Sequence, residues 1–161
     1  MAKRLPVPYH KQREVGYCLA ACAQMVFAFQ DVYLSQDVLA KQLNVKPALG
    51  APTRNIQRLA SDKVAVTYEE GSRERLQAWL TSDLPIIAFV QAGEFAHWQG
   101  EFFQHAVVVA GFEESLVWLL DPDVDAAPIA VPVDEFMLAW SGMDYLYAVV
   151  SVSAEKGGTK I

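Results

Sequence analysis

Residues 18–30 read CLAACAQMVFAFQ, a stretch that is apolar on nearly every side when wound as a helix. A surface helix keeps one polar face, so a helix apolar all round must be covered by the rest of the chain. This segment is therefore expected to be a buried central helix, and whatever folds around it has to supply its walls. Gly16 breaks the chain just ahead of it. Residues 1–15 read as an extended lead-in, with Pro6 and Pro8 keeping it out of helix.

The remaining elements divide by position. Ser35 is placed to cap a second helix running to about Leu43, and Thr53 a third over residues 54–61 with Ile56 and Leu59 inward. Val64, Val66 and Tyr68 alternate as in a strand, and Ser72 caps a short helix to Leu80. The character then changes. Residues 84–90 and 105–111 read as buried strands, and residues 116–120 follow closely enough to close a hairpin. A short strand at 129–131, a helix at 133–140 and a last strand at 145–153 complete the chain. A helical first half packed on an antiparallel sheet from the second half is an α+β fold. No repeat or linker interrupts it, so residues 1–161 are expected to form one domain, with 1–7 and 154–161 as flexible ends.

Charge and composition exclude several classes. A hydrophobic fraction of 53% with 20% charged residues describes a globular chain, and a net charge of −6 argues against nucleic acid as partner. Arg54, Arg58, Arg73 and Arg75 are interleaved with acids and read as solvated helix faces. No run reaches the roughly 18 apolar residues that span a membrane. The first residues carry Lys3 and Arg4 but no apolar core of a signal peptide. Cys18 and Cys22, the two cysteines, lie four apart on one helix and are poorly placed to bridge, so a reducing, cytoplasmic setting is expected.

Four residues in order carry chemistry: Gln12, Cys18, His105 and Asp121. Each alone has an ordinary reading: surface amide, core filler, satisfied core imidazole, turn carboxylate before Pro122. Together they supply an oxyanion donor, a thiol at a helix N-terminus where unpaired N–H groups favour thiolate, a base, and a carboxylate to orient the base. Hairpin pairing of 105–111 with 116–120 would bring Asp121 to one ring nitrogen of His105 and leave the other for Cys18. Cys22, one turn deeper, is expected to pack as a small hydrophobe.

The stretch Pro8-Tyr9-His10-Lys11-Gln12, followed by Gly16-Tyr17-Cys18-Leu19-Ala20-Ala21-Cys22, resembles the start of C39-like peptidases, members of the papain-like cysteine peptidase group. The run from His105 to Phe112 and Leu120-Asp121-Pro122 resemble that family's His and Asp motifs, and the likeness spans nearly the whole chain. The resemblance implies a papain-like fold with Cys18 as nucleophile, His105 as base, Asp121 as its orienting partner, and Gln12 with the Cys18 N–H as oxyanion donors. It implies a peptide or protein substrate, an acyl-thioester resolved by water, and no metal or cofactor. The chain departs from the family's pattern at Tyr17, where Asp is common, and at Leu19 and Ala20, where Gly-Pro is common. Two other readings remain open: an acyltransferase passing the acyl group to an amine, and a non-catalytic peptide-binding domain. Oligomeric state is not legible.

Weaker signals stand beside these. His97, Trp98 and Trp140 are candidates to line a substrate cleft. Asp121, Asp123 and Asp125 open like a calcium loop, but Ala126 and Pro132 stand where such a loop needs Gly and Glu, so no metal is expected. His10 reads as a surface residue, and Gly157-Gly158 as tail glycines.

Overall fold

The computed structural model describes residues 4–98 and 100–153. The expected flexible tail and Gly157-Gly158 lie outside the described residues, as do residues 1–3.

Helix α1 spans Cys18–Phe29, and nine of its twelve residues, from Leu19 to Ala28, are buried. Its walls are helix α2 (Gln36–Gln42), a 3-10 helix (Thr53–Leu59) and one face of a sheet. The strands are β1 (Val64–Glu70), β2 (Ile86–Gln91), β3 (Gln104–Phe112), β4 (Leu116–Leu120), β5 (Ile129–Pro132) and β6 (Leu146–Val152). They form one six-stranded sheet in the order β1-β6-β2-β3-β4-β5, with every neighbouring pair antiparallel. Helices α3 (Arg73–Thr81) and α4 (Val133–Ser141) cover the other face.

Period-two alternation divides the strands between two cores. Ile87, Phe89, Ala106, Val108, Leu120, Ala148 and Val150 pack toward α1. Ile86, Ala88, Val90, Val107, Val109, Leu119, Tyr147 and Val149 pack toward α3 and α4. Coverage on both faces explains why β2 from Ile86 to Val90 and β3 from Ala106 to Phe112 are apolar without interruption. It also extends the expected arrangement of helices on a sheet to three layers. Helix α4 shows its buried stripe at Val133, Phe136 and Trp140, the helical i, i+3, i+7 spacing.

The serine caps form as the sequence suggests: Ser35 Oγ accepts the Val38 N–H at 3.1 Å and Ser72 Oγ accepts the Arg75 N–H at 3.1 Å. Thr53 differs. It is the first residue of a 3-10 helix, makes no cap, and meets the Tyr68 hydroxyl with its own. The lead-in also differs from a flexible end over residues 4–7. Leu5 is buried, its N–H donates to the Ala110 carbonyl at 2.8 Å, and Arg4 bridges Gly111. The β3–β4 register shifts between Val109 and Gly111, which frees the Ala110 carbonyl for this contact.

Gly16 sets how the lead-in reaches α1. Its φ is +91°, and an added Cβ would stand 2.9 Å from Gly50 N and 3.3 Å from the Ala48 carbonyl carbon. Both neighbours are backbone. Gly16→Ala is therefore expected to cost about 1–3 kcal/mol and to lower the melting temperature. Gly50→Ala is the control: φ is +86°, but the nearest atom stands at 3.5 Å, so calorimetry should show the smaller loss.

Candidate active site

Among the described residues three polar side chains are buried: Gln36, His105 and Asp121. A buried polar group needs partners, and two of the three partner each other. His105 Nε2 donates to Asp121 Oδ1 at 2.7 Å. The hairpin explains the meeting. The pairs Val108–Leu120 and Val109–Leu119 put His105 and Asp121 on the same side of the ladder, diagonally across two strands, within reach of a long side chain. With Nε2 taken, Nδ1 is the ring nitrogen left for Cys18, which lines the same pocket and adds to the charge balance of His105.

The electrostatics follow. Burial disfavours charge on His105, but the hydrogen bond to Asp121 and the neighbouring Cys18 outweigh it and raise its pKa to about 10. Burial likewise works against the Asp121 carboxylate, yet donors from His105, His97 and the Asp123 N–H hold it well below the usual carboxylate range. Cys22 is fully enclosed in the α1 core, and burial drives its thiol far above the ordinary thiol range. The two cysteines thus differ: Cys18 is half-buried at the head of α1, where no side chain caps the first turn.

Gln12 lies on the same cleft as Cys18 and His105. Its N–H donates to the Pro122 carbonyl at 2.7 Å, tying the lead-in to the Asp121 loop. Its Nε2 donates to the Glu14 carbonyl at 3.1 Å, while Oε1 is buried with no hydrogen-bond partner. Gln36 holds this segment: Nε2 donates to the Lys11 carbonyl at 2.8 Å and Oε1 accepts the Arg13 N–H at 3.0 Å. The Tyr9 hydroxyl, directed at the Asp121 and Val124 carbonyls, fixes the loop from the other side. The sequence signalled neither role, because both act through main-chain atoms.

The cleft, about 370 Å³, lies between the lead-in at Val15 and Gly16, the turn at Ala48–Leu49–Gly50, and Phe103–Gln104. A smaller pocket of about 40 Å³ opens from it beside Cys18 and His105, walled by Leu19, Ala51, Thr53, Phe89, Ala106 and Met143. Leu19 is 3% exposed and packs into the core as a wall. The Tyr17 hydroxyl turns toward Asp37 on α2. Sequence reading missed Thr53, Phe89 and Met143, which meet only in the folded chain.

The three aromatic candidates lie elsewhere. Trp140 is 0% exposed in the core under α4, its Nε1 donating to the Leu146 carbonyl at 2.8 Å, so it presents no surface to a ligand. His97 and Trp98 are turned to Asp121: His97 Nε2 donates to Oδ2 at 3.0 Å and Trp98 Nε1 to the same oxygen at 2.9 Å.

A helix-borne cysteine facing a histidine–aspartate pair held by an antiparallel sheet is the arrangement of the papain-like fold. The Peptidase_C39 like family model matches residues 4–147, and the chain belongs to that family. Three solved structures share the fold. A Bacillus anthracis protein described as a C39-like peptidase is 15% identical, covering 96% of this chain and 100% of its own, with a TM-score of 0.74. The double glycine motif protease from an AMS/PCAT transporter, solved with its leader peptide, is 18% identical over 94% and 95%, with a TM-score of 0.69. The peptidase domain of Streptococcus ComA, a bifunctional ABC transporter of a quorum-sensing pathway, is 17% identical over 89% and 97%, also at 0.69. No curated protein matches the chain. Among the described residues no helix is long and apolar enough to cross a membrane.

Proposed function

We propose that this protein is a cysteine peptidase that hydrolyses a peptide or related amide bond through an acyl-thioester on Cys18. The observation that carries the reading is His105, hydrogen-bonded to Asp121 Oδ1 at 2.7 Å, on the wall of the same pocket as Cys18. An imidazolium beside a sulfur is the setting in which a thiol reacts as its anion. Cys18 Sγ adds to the carbonyl carbon, and the oxyanion is met by the Cys18 N–H at the uncapped head of α1 together with Gln12 Nε2. His105 Nδ1 gives its proton to the leaving nitrogen as the C–N bond breaks. Water then attacks the thioester, Nδ1 takes its proton, and the acid leaves Sγ. Asp121 keeps Nε2 protonated throughout. The leader peptide bound by the double glycine motif protease supports a peptide as the ligand of this cleft.

A second reading, a peptide-binding domain without hydrolysis, has one observation in its favour: Gln12 Nε2 points to the Glu14 carbonyl. Alkylation of Cys18 followed by mass spectrometry separates the two, with Cys22 as internal control. In the peptidase, iodoacetamide labels Cys18 rapidly near neutral pH, Cys22 stays unlabelled, and His105→Ala slows the reaction at least tenfold. Equal slow labelling of wild type and His105→Ala would leave the binding reading standing.

A further inference from the structure

Asp121 is 0% exposed and has more donors around it than orientation of one imidazole requires. Oδ1 accepts from His105 Nε2 at 2.7 Å and from the Asp123 N–H at 3.0 Å. Oδ2 accepts from His97 Nε2 at 3.0 Å and Trp98 Nε1 at 2.9 Å. We propose that His97 and Trp98 are positioning residues that lock the rotation and the ionised state of Asp121, and through it the orientation of His105. This rests on the peptidase reading above.

The chemistry of the donors carries the argument. An indole N–H and a main-chain N–H have no acceptor capacity, so each carboxylate oxygen already faces one group that can only donate. That environment favours the ionised carboxylate and leaves the protons of both histidine contacts on the rings. His105 is thereby held with Nε2 protonated, and Nδ1 is the nitrogen whose proton changes during reaction. A carboxylate held at Oδ1 alone could still turn about its Cβ–Cγ bond. Two donors on Oδ2 remove that freedom.

The donors are themselves rigid. His97 stacks on buried Phe95 at 5.1 Å with the rings 17° from parallel. Trp98 stands edge-on to Phe103 at 4.8 Å and to His105 at 5.6 Å. The Ala96 N–H donates to Glu135 Oε2 at 3.2 Å, so α4 anchors this segment. The titratable groups facing Asp121 are His97, His105, Tyr9, Asp123 and the buried Cys22, with Cys18 linked to it through His105 and Glu135 behind residue 96. Neither His97 nor Trp98 lines the cleft or the pocket that Cys18 borders, so substrate contact does not account for them.

The test is the pH dependence of Cys18 alkylation by iodoacetamide in wild type, His97→Ala, His97→Gln, Trp98→Phe and His105→Ala. It requires no knowledge of the substrate. Loss of a donor on Oδ2 lets the Asp121 carboxylate turn away from Nε2, so the His105 cation is less well sustained. The rise of labelling with pH then moves up by about one unit in His97→Ala and Trp98→Phe, a tenfold slower reaction at fixed pH on that limb. His97→Gln, which keeps an N–H donor, restores most of it. Trp98→Phe retains the ring and serves if His97→Ala does not fold. Profiles of His97→Ala and Trp98→Phe that superimpose on wild type, while His105→Ala shifts, overturn the proposal and leave the peptidase reading intact. A profile unmoved by His105→Ala overturns both.

Discussion

Asp121→Ala is expected to be inactive and, at neutral pH, about 3–5 kcal/mol less stable than wild type, the range for stripping one partner from a buried ion pair. The substitution leaves His105, Trp98 and His97 pointing N–H groups at an apolar void. Asp121→Asn keeps the volume but turns an amide NH₂ toward donors, a mismatch that reverses at least one contact. In a serine triad the equivalent change lowers kcat about 10⁴-fold, and a loss of that order is expected here. The pH dependence of stability carries the same signature. Asp121 is held below the ordinary carboxylate value, so its contribution is complete above about pH 4 and is lost as pH falls through the folded value. His105 is raised to about 10. Its contribution is therefore complete below about pH 6.5 and drains away as pH rises through 10. Urea denaturation should show greatest stability between about pH 4 and 6.5, with decline on both sides. Asp121→Ala should flatten both slopes; a variant that keeps the wild-type profile would contradict the pairing.

The elements that were legible in the sequence are those fixed locally. The all-round apolar run at residues 18–30 required a central helix, Ser35 and Ser72 carried cap chemistry, and close spacing of two apolar runs forced the β3–β4 hairpin. That hairpin made the His105–Asp121 meeting legible too, since their shared parity is a local consequence of register. Strand order was not legible. β6, last in the chain, pairs between β1 and β2, and an apolar strand does not say which neighbour it will take. The short helices α3 and α4 were legible as helices, but nothing local said which face of the sheet receives them. Trp140 illustrates a signal passed over: it continues the Val133–Phe136 stripe of α4, which places it in the core. His97 and Trp98 offered no such periodicity. Their partner lies 24 and 23 residues away across the hairpin, and an aromatic in a loop has the same local sequence whether it meets a peptide or a carboxylate.

Cys18→Ala should abolish hydrolysis while leaving the fold in place. Removing the nucleophile of a triad costs roughly 10⁴–10⁶ in kcat, beyond the reach of most assays. The structural cost is small because Cys18 is half-buried at the first position of α1, where alanine is a good helix former. The melting temperature should stay within a few degrees of wild type. The informative measurement in this variant is the His105 titration by NMR. Cys18 is one of the two partners that raise His105, and Asp121 is the other and the larger. Without the sulfur, the His105 pKa should fall below its value of about 10 yet remain above the ordinary 6.5, because the Asp121 contact survives. A titration unchanged from wild type would mean that Cys18 and His105 are not coupled in solution, and hydrolysis surviving in Cys18→Ala would assign the nucleophile elsewhere. A dead enzyme with the fold intact and the His105 pKa lowered would join thiol, imidazole and carboxylate into one reacting unit.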